Sequence, residues 1–383
     1  MTDHQKRVSE VRQFFENKDT ILGFRRLLDV AADTQDMDIY RRCIVLTDWK
    51  SHHESEEADF ITKSLELLED IGKFSVTVAD RSLPVLEAKG IAKSYGIGKF
   101  YLSPISISIK KGEIYGLVGE NGNGKTTLLR ILAKDLSHNV GNLKYHFNSK
   151  PKNAYDLRTK LVYIPQRTEK WYGSLLDNLR FVLSNYGTSP DEIEPRVLMM
   201  VARLGLWKYR HLKWSELSSG YKMRFELART LLRKPEILLL DEPLANLDVL
   251  AQQVILEDLK SICASLSHPI ALILSSQQLY EVEKISDQVI FLKQGKYQDL
   301  KSSQMKTPQA RIIEIDTSAT REQLMQVFEE LPLEQIQFNG GIFVVYFDTN
   351  LPLSEVLIAL GKHKIPITYL RDITLSTRRF FVN

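Results

Sequence analysis

The segment that most constrains this chain is a glycine-rich run, Gly119-Glu120-Asn121-Gly122-Asn123-Gly124-Lys125-Thr126-Thr127. Apolar residues before it favour a short buried strand, and the spacing after it favours one face of a helix. In such a turn, backbone N–H groups and the positive N-terminal end of the helix face bound phosphate. In this pattern Lys125 reaches the β- and γ-phosphates and the Thr126 hydroxyl ligates Mg²⁺. An ordinary glycine-rich loop is the alternative, but the flanking strand and helix favour a nucleotide site.

Composition limits the remaining possibilities. The 383 residues fit two or three domains, and the net charge of +3 gives no argument for nucleic-acid binding. The two cysteines lie far apart, which predicts neither a metal site nor a disulfide framework and fits a reducing compartment. The charged start of the chain predicts no secretory leader. We also expect no membrane span, because no run of about 18 apolar residues occurs.

Residues 1–83 are predicted to form an all-helical accessory domain. Apolar residues recur there at helical spacing. The sequence predicts breaks near four places, Gly23, 33–34, 51–53 and Gly72. Nothing in the residues of this segment assigns it a role.

Residues 84–300 alternate between strand and helix patterns, which predicts an α/β domain. The segment 237–240 is a continuous apolar strand, as expected in a parallel sheet that is covered on both faces. Similar strands are predicted over 161–166 and 271–274, and a helix over 222–232.

The tail is predicted as a small ferredoxin-like domain over residues 308–383, after a polar linker at 301–310. Its pattern reads β-α-β-β-α-β, with helices at 321–331 and 353–363 and a hairpin turn at 339–341. The basic pair Arg378-Arg379 is predicted to be a solvated tail.

An acidic pair, Asp241-Glu242, follows the apolar strand at its carboxyl end. Ligands bind at this edge of open parallel sheets. Asp241 is therefore predicted to hold Mg²⁺, directly or through water, and Glu242 to orient and deprotonate the attacking water. A plain strand-end turn is the alternative, which the phosphate loop makes less favourable.

From about Val85 to Leu300 the chain resembles the ATP-binding cassette of an ABC transporter. The matching motifs follow in order: the Walker A loop at 119–127, the Q-loop glutamine Gln166, the signature Leu217-Ser218-Ser219-Gly220-Tyr221, Walker B with its catalytic glutamate at 237–242, and the D-loop at 244–248. Tyr95 stands where the family places an aromatic ring that stacks on adenine. The resemblance implies bound ATP and Mg²⁺, with Gln166 among the catalytic and metal-contacting residues. Ser218, Ser219 and Gly220 are implied to contact the γ-phosphate of ATP.

Two departures from the family pattern stand out. The signature has Ser219 and Tyr221 where the family usually has glycine and glutamine, but it keeps Ser218 and Gly220. The switch histidine is replaced by Gln277. An amide can donate a hydrogen bond, as histidine does, but stays neutral at every working pH. We expect slow but real hydrolysis.

The family likeness also implies partners. Two cassettes face each other around ATP, so we expect a homodimer or pairing with a related cassette. A separate transmembrane permease is implied, with the chain peripheral on the cytoplasmic face of the membrane, and the signature favours an exporter. Trp171, Tyr172 and Leu175 are either a permease-facing patch or local core. The alternatives are a soluble ABC ATPase of translation or DNA repair, and a slow regulatory clamp.

Overall fold

Four helices precede the first strand in this computed structural model, which describes residues 1–96, 100–278, 282–299, 310–339 and 341–374. Their bounds are α1 Asp3–Glu16, α2 Thr20–Thr34, α3 Met37–His52 and α4 Glu57–Gly72. Thr2 caps α1: its hydroxyl accepts from the Gln5 N–H, and the Gln5 side chain accepts from the Thr2 N–H. This reciprocal pair satisfies two N–H groups that a helix start otherwise leaves open.

The predicted break near Gly23 is wrong, because Gly23 lies inside α2. The chain turns at Lys18 instead, where φ is 61°. A Cβ atom at position 23 would lie 3.1 Å from the Cβ of Phe14. Glycine therefore serves close packing of α2 on α1 rather than a turn.

The central region is an α/β fold, as predicted. Its strands are β1 Pro84–Ser94, β2 Tyr101–Lys110, β3 Ile114–Val118, β4 Val140–Tyr145, β5 Leu161–Ile164, β6 Ile237–Leu240, β7 Ala271–Ser276, β8 Gln288–Lys293 and β9 Lys296–Asp299. Its helices are α5 Lys125–Leu132, α6 Ala154–Lys160, α7 Leu175–Asn185, α8 Pro190–Arg203, α9 Ser219–Leu231 and α10 Val249–Cys263. Helix α9 begins three residues before the predicted start at Lys222, so the second half of the signature forms its first turn.

The larger sheet has the strand order β5-β6-β7-β3-β8-β9. Neighbouring strands from β5 to β8 are parallel, and β9 is antiparallel to β8. The parallel strands therefore present their carboxyl ends along one edge. A smaller antiparallel sheet, β2-β1-β4, packs against it in a shared cluster of buried side chains.

The N-terminal helices pack directly on the central region. Buried side chains of α1–α4 belong to one continuous apolar cluster with those of α7, α8, α9 and α10. The division of the chain at 83/84 and after 300 remains a prediction, but the first 72 residues share their core with the central helices.

Two buried carboxylates of α2 strengthen this contact. Asp29 accepts hydrogen bonds from Arg203 Nε at the end of α8 (2.7 Å) and from the Ser261 hydroxyl of α10. Asp33 accepts from the Ser265 hydroxyl (2.6 Å) and from the Leu266 N–H (3.0 Å) in the turn after α10. One face of α2 thus holds α8 and α10 together.

The C-terminal region has the predicted β-α-β-β-α-β order. Its elements are β10 Ala310–Thr317, α11 Arg321–Val327, β11 Leu333–Asn339, β12 Ile342–Asp348, α12 Leu353–Lys362 and β13 Ile367–Asp372. The antiparallel sheet has the order β11-β12-β10-β13, which is the ferredoxin-like arrangement. Helix α11 ends four residues before the predicted end at Leu331. Ala310, the last residue of the predicted linker at 301–310, begins β10. The rest of that linker, Gly340 of the predicted hairpin turn and the pair Arg378-Arg379 lie outside the described residues.

Candidate nucleotide site

The glycine-rich segment 119–124 connects the carboxyl end of β3 to the first turn of α5. Gly122 and Gly124 have φ values of 81° and 101°, which side chains with a Cβ rarely adopt. A Cβ at Gly124 would also lie 2.6 Å from the Cζ of Phe100. Gly122 and Gly124 therefore stand where the backbone must turn tightly. Gly124 also passes close to Phe100, just before β2.

The Lys125 side chain folds back over this loop and is almost fully buried. Its Nζ donates to the carbonyl oxygens of Gly119 (2.6 Å) and Glu120 (3.3 Å). The same Nζ lies 3.1 Å from Oε1 of Glu242. A buried ammonium held by carbonyls and a single carboxylate is placed to exchange that carboxylate for a phosphate.

Asp241 follows β6 and accepts hydrogen bonds from three hydroxyl groups. Oδ2 accepts from Thr126 Oγ1 (2.7 Å) and from the Tyr163 hydroxyl (3.1 Å), and Oδ1 accepts from Ser275 Oγ (2.7 Å). Burial and then the Asp241 charge raise the pKa of Tyr163, so its hydroxyl stays protonated and donates. The Thr126 hydroxyl and the Asp241 carboxylate are oxygen ligands of the kind that Mg²⁺ prefers. A bound phosphate would supply further oxygen ligands.

Glu242 stands at the centre of the site with a φ of 48°, in the left-handed region. Its N–H donates to Ser275 Oγ (2.8 Å). Its Oε2 accepts from the amides of Gln166 (3.3 Å) and Gln277 (2.8 Å), while Oε1 faces Lys125. Both predicted catalytic glutamines therefore meet the predicted catalytic glutamate directly.

The strand order explains how these distant segments meet. β5 precedes Gln166, β6 precedes the acidic pair, β7 ends in Ser275 and Ser276, and β3 precedes the glycine loop. These four strands are neighbours in the sheet and end at the same edge.

The signature residues contact the segment after Glu242 instead of the glycine loop. Ser218 is the exposed N-cap residue of α9, and Ser219 Oγ donates to the Asn246 carbonyl oxygen (3.0 Å). A Cβ at Gly220 would lie 3.5 Å from the Cβ of Ala251. Tyr221, which departs from the family pattern, donates its hydroxyl to Tyr209 (2.6 Å). The signature thus presents Ser218 to its surroundings rather than to the glycine loop of its own chain.

Tyr95 lies at the end of β1, beside the residues that cover the glycine loop. Its N–H donates to the Phe100 carbonyl oxygen (3.3 Å), and the two ring centroids are 6.4 Å apart. Tyr95 is 45% exposed, and Lys93 Nζ lies 5.6 Å from its ring centroid.

The structure separates the three residues at 171–175 into two environments. Trp171 is buried, stacks on Trp214 at 4.9 Å and donates its indole N–H to Glu226 (2.7 Å), and Leu175 is fully buried. Both are core residues. Tyr172 is 80% exposed and remains available at the surface.

Sequence reasoning missed two contributors to the site, Tyr163 and Ser275. Both were inside or at the end of predicted strands, but no role was assigned to either. Their positions carried a signal, because each stands within two residues of the carboxyl end of a strand beside β6. Polar side chains there face the ligand-binding edge.

A family model described as ABC transporter matches residues 102–245. The chain is 32% identical over 218 residues to a putative ABC transporter ATP-binding protein of Listeria monocytogenes, covering 55% of this chain and 80% of that protein. It is 32% identical over 216 residues to the spermidine/putrescine import ATP-binding protein PotA of Mycoplasma mycoides, covering 56% of this chain and 61% of that protein. The chain therefore spans about three fifths of the length of PotA.

Further similarity extends to a resistance protein and to a solved structure. The linearmycin resistance ATP-binding protein LnrL of Bacillus subtilis is 31% identical, covering 55% of this chain and 67% of that protein. The structure of cbiO1 from Clostridium perfringens, part of the ABC transporter complex cbiONQ, superimposes with a TM-score of 0.51 at 25% identity. That match covers 59% of this chain and 92% of cbiO1.

Proposed function

The chain belongs to the ABC transporter ATP-binding proteins, and we propose that it binds ATP with Mg²⁺ and hydrolyses it to drive a separate membrane permease. Hydrolysis of ATP coupled to transport is the general activity of this family. One observation carries the proposal for this chain. The Glu242 carboxylate is held by Lys125, Gln166 and Gln277 beside the Thr126–Asp241 pair.

Binding uses the glycine loop and the end of β1. The loop N–H groups and Lys125 hold the β- and γ-phosphates, and the partly exposed Tyr95 stacks on the adenine. Without nucleotide, Lys125 Nζ contacts Glu242 Oε1. When a phosphate binds Lys125, the ammonium group moves away from Glu242 Oε1. Glu242 is then free to accept a proton from water.

The metal has a fitting donor set. Thr126 Oγ1 and Asp241 would hold Mg²⁺, with Asp241 fixed from behind by Tyr163 and Ser275. When bound, Mg²⁺ neutralises charge on the phosphate oxygens. Gln166, whose amide nitrogen contacts Glu242, would contribute its carbonyl oxygen to the metal, directly or through a water.

In the chemical step, Glu242 orients a water toward the γ-phosphorus and takes its proton. The new bond forms between the water oxygen and phosphorus, and the bond to the ADP oxygen breaks. Gln277 keeps the Glu242 carboxylate aligned by donating to Oε2. The amide stays neutral where a histidine can become charged, so we expect slow turnover relative to a site with histidine.

A second cassette completes the site. This sequence carries one glycine loop and one signature; Ser218 is exposed, and the Ser219 hydroxyl donates to Asn246 rather than to the loop. We therefore propose a homodimer, or a pair with a related cassette, in which the Ser218–Gly220 turn of one copy contacts ATP held by the other. Loss of the γ-phosphate removes that contact and reopens the pair.

The permease is a separate protein in this proposal. No helix in the described part of the chain is long and apolar enough to cross a membrane. The chain would sit at the cytoplasmic face of the membrane, with the exposed Tyr172 near the docking surface. Export stays an expectation from the signature, because the similar proteins include both the import protein PotA and the resistance protein LnrL.

The experiment compares purified wild-type chain with Glu242→Gln and with Glu10→Gln, a control on the exposed side of α1. With ATP and Mg²⁺, wild type and the control should release phosphate, and Glu242→Gln should not. Glu242→Gln should also form a stable dimer with ATP by light scattering. Equal phosphate release by all three removes Glu242 from the mechanism. A strictly monomeric Glu242→Gln with ATP, alone and beside any candidate companion, contradicts the paired site.

Purification of the full chain from detergent-solubilised membranes separates the candidate functions. A co-purifying integral membrane protein supports the transporter. Association with ribosomes or DNA instead supports a soluble ABC ATPase, and ATP binding with almost no turnover supports a regulatory clamp.

A further inference from the structure

A cavity lies where the N-terminal helices meet the central helices. Its volume is about 80 Å³. Residues of α2, α3, α7, α8, α9 and α10 and of the turns after α9 and α10 line it. It is separate from the nucleotide site, since the glycine loop, the acidic pair and both catalytic glutamines are absent from its lining.

The titratable side chains that line this cavity include several basic groups. Its lining includes Arg196, Arg203, Lys234 and His268 and contains no aspartate or glutamate. Arg203 is neutralised from behind by Asp29. The positive charge that remains is therefore concentrated on the side where α8 meets the end of α9.

Lys234 lies at the exposed edge of this cavity. It follows the C-terminal end of α9, with φ of 53°, and its Nζ donates to Gln35 Oε1 (2.6 Å). It forms no ion pair with any acidic side chain in the described ranges of the chain. Partial desolvation, and then the nearby charge of Arg196, lower the pKa of Lys234, while the charge of Glu192 opposes this shift. An anion in the cavity would relieve this repulsion.

Arg196 faces the same space and is only partly neutralised. Its guanidinium binds Glu192 one turn earlier on α8 through Nε (2.9 Å) and through one terminal nitrogen (2.7 Å), and both bonds go to Oε2. The Glu192 side chain is 40% exposed, so water screens this pair. The remaining N–H groups of the guanidinium can donate to a second anion.

The rest of the lining is apolar. Leu183, Met199, Leu231 and Ile262 are buried, and Met199 can adjust its shape to an occupant. A cavity that holds benzene measures about 150 Å³. The present volume therefore suits a charged head group with a tail of only a few carbon atoms.

We propose that this cavity binds a small aliphatic carboxylate, whose head group accepts from Lys234 and Arg196 and whose tail contacts Met199 and Leu231. Inorganic phosphate shares the charge but has no apolar part to match the lining. Because α9 begins with the signature and ends at this cavity, an occupant contacts the helix that carries Ser219. Binding itself does not depend on ATP hydrolysis, so its failure and that of the proposed function are independent.

The experiment measures binding to the full chain without nucleotide, at constant ionic strength. Acetate, propionate, butyrate, inorganic phosphate and chloride are titrated by calorimetry, and the midpoint of thermal unfolding is followed in parallel. We expect saturable binding that tightens from acetate to butyrate and raises the midpoint. Chloride should have no such effect.

Three variants test the placement of the ligand, and a fourth serves as a control. Lys234→Gln and Arg196→Gln each remove a charged donor and should weaken carboxylate binding about tenfold or more. Ala32→Leu fills the cavity, keeps every charge and should abolish binding. Arg41→Gln changes an exposed arginine of α3 outside the cavity and should bind as wild type.

Each of the following outcomes would overturn the proposal. Equal effects of chloride and butyrate show general ionic stabilisation. Binding that survives both Ala32→Leu and Lys234→Gln places the ligand elsewhere. Phosphate binding that depends on Lys234, without carboxylate binding, refutes the assigned ligand class. Circular dichroism of each variant separates lost binding from lost folding.

Discussion

Gln277 Nε2 donates a hydrogen bond to Glu242 Oε2 at 2.8 Å. The residue at the position of the family's switch histidine therefore contacts Glu242, the proposed catalytic glutamate. Gln166 donates to the same oxygen from a longer distance of 3.3 Å. The alignment of Glu242 thus depends on two neutral amides and on the Lys125 ammonium group.

The first prediction concerns Gln277. Gln277→Ala removes the shorter of the two amide contacts and should lower the rate of phosphate release roughly 10- to 100-fold. Gln277→His should retain activity at pH 8. As the pH falls through about 6.5, the imidazole becomes charged, so the rate of this variant should show an inflection there that wild type lacks. Steady-state rates between pH 6 and 8.5 provide the measurement. Gln277→Ala with wild-type turnover would mean that Gln166 alone positions Glu242.

The second prediction concerns Ser275, which supports both acidic residues. Its hydroxyl donates to Asp241 Oδ1 and accepts from the Glu242 N–H. Ser275→Ala leaves two buried polar groups without this partner, so we expect weaker Mg²⁺ dependence and a turnover reduced about tenfold or more. Titration of activity with Mg²⁺ gives the measurement. Ser184→Ala, at an exposed position on α7, is the matched control and should behave as wild type. An unchanged Mg²⁺ requirement in Ser275→Ala would show that Thr126 and Tyr163 suffice to hold Asp241.

The third prediction concerns Tyr95. Loss of one aromatic stacking partner costs about 1 kcal/mol, so Tyr95→Ala should raise the KM for ATP about fivefold with little change in kcat. Tyr95→Phe keeps the ring and should resemble wild type. Initial rates against ATP concentration separate the two constants. If Tyr95→Phe is as impaired as Tyr95→Ala, the hydroxyl rather than the ring makes the contact.

Local patterns predicted the central architecture well. Continuous apolar runs mark the buried parallel strands, and the glycine loop and acidic pair fall at strand ends, so the α/β fold followed from short segments. Gly23 was misread because a glycine needed for helix packing has the same local appearance as one in a turn. The strand at 140–145 was not predicted, since its residues are largely exposed and lack a clear alternation.

Tertiary relations were harder to read from the sequence. Trp171 and Leu175 could belong to a surface patch or to the core, and only the position of Trp214, more than forty residues later, decides this. The same holds for Asp29, whose partners Arg203 and Ser261 are more than 170 residues away along the chain. A helical pattern reveals which face is apolar, but it does not reveal which distant polar groups a buried carboxylate meets.

The last prediction concerns this Asp29 contact. The carboxylate is buried and binds Arg203 of α8, Arg26 of its own helix and Ser261 of α10. Asp29→Asn leaves the buried Arg203 without its counter-charge, which should lower the free energy of unfolding by about 3 kcal/mol. Asp38→Asn removes an exposed ion pair with Arg41 and should change stability by less than about 1 kcal/mol. Urea unfolding at pH 7 measures both variants.

The pH dependence gives an independent check on the same contact. Burial opposes ionisation of Asp29, but the charges of Arg203 and Arg26 outweigh it and lower the pKa of this carboxyl. A lowered folded-state pKa contributes stability above the unfolded value of about 3.9, and this stability is lost only as the pH falls through the folded value. The stability difference between wild type and Asp29→Asn should therefore stay constant from pH 7 down to about 4. If the difference already disappears between pH 6 and 5, Asp29 is protonated in the folded protein and its contact with Arg203 does not hold α8 to α2 as an ion pair.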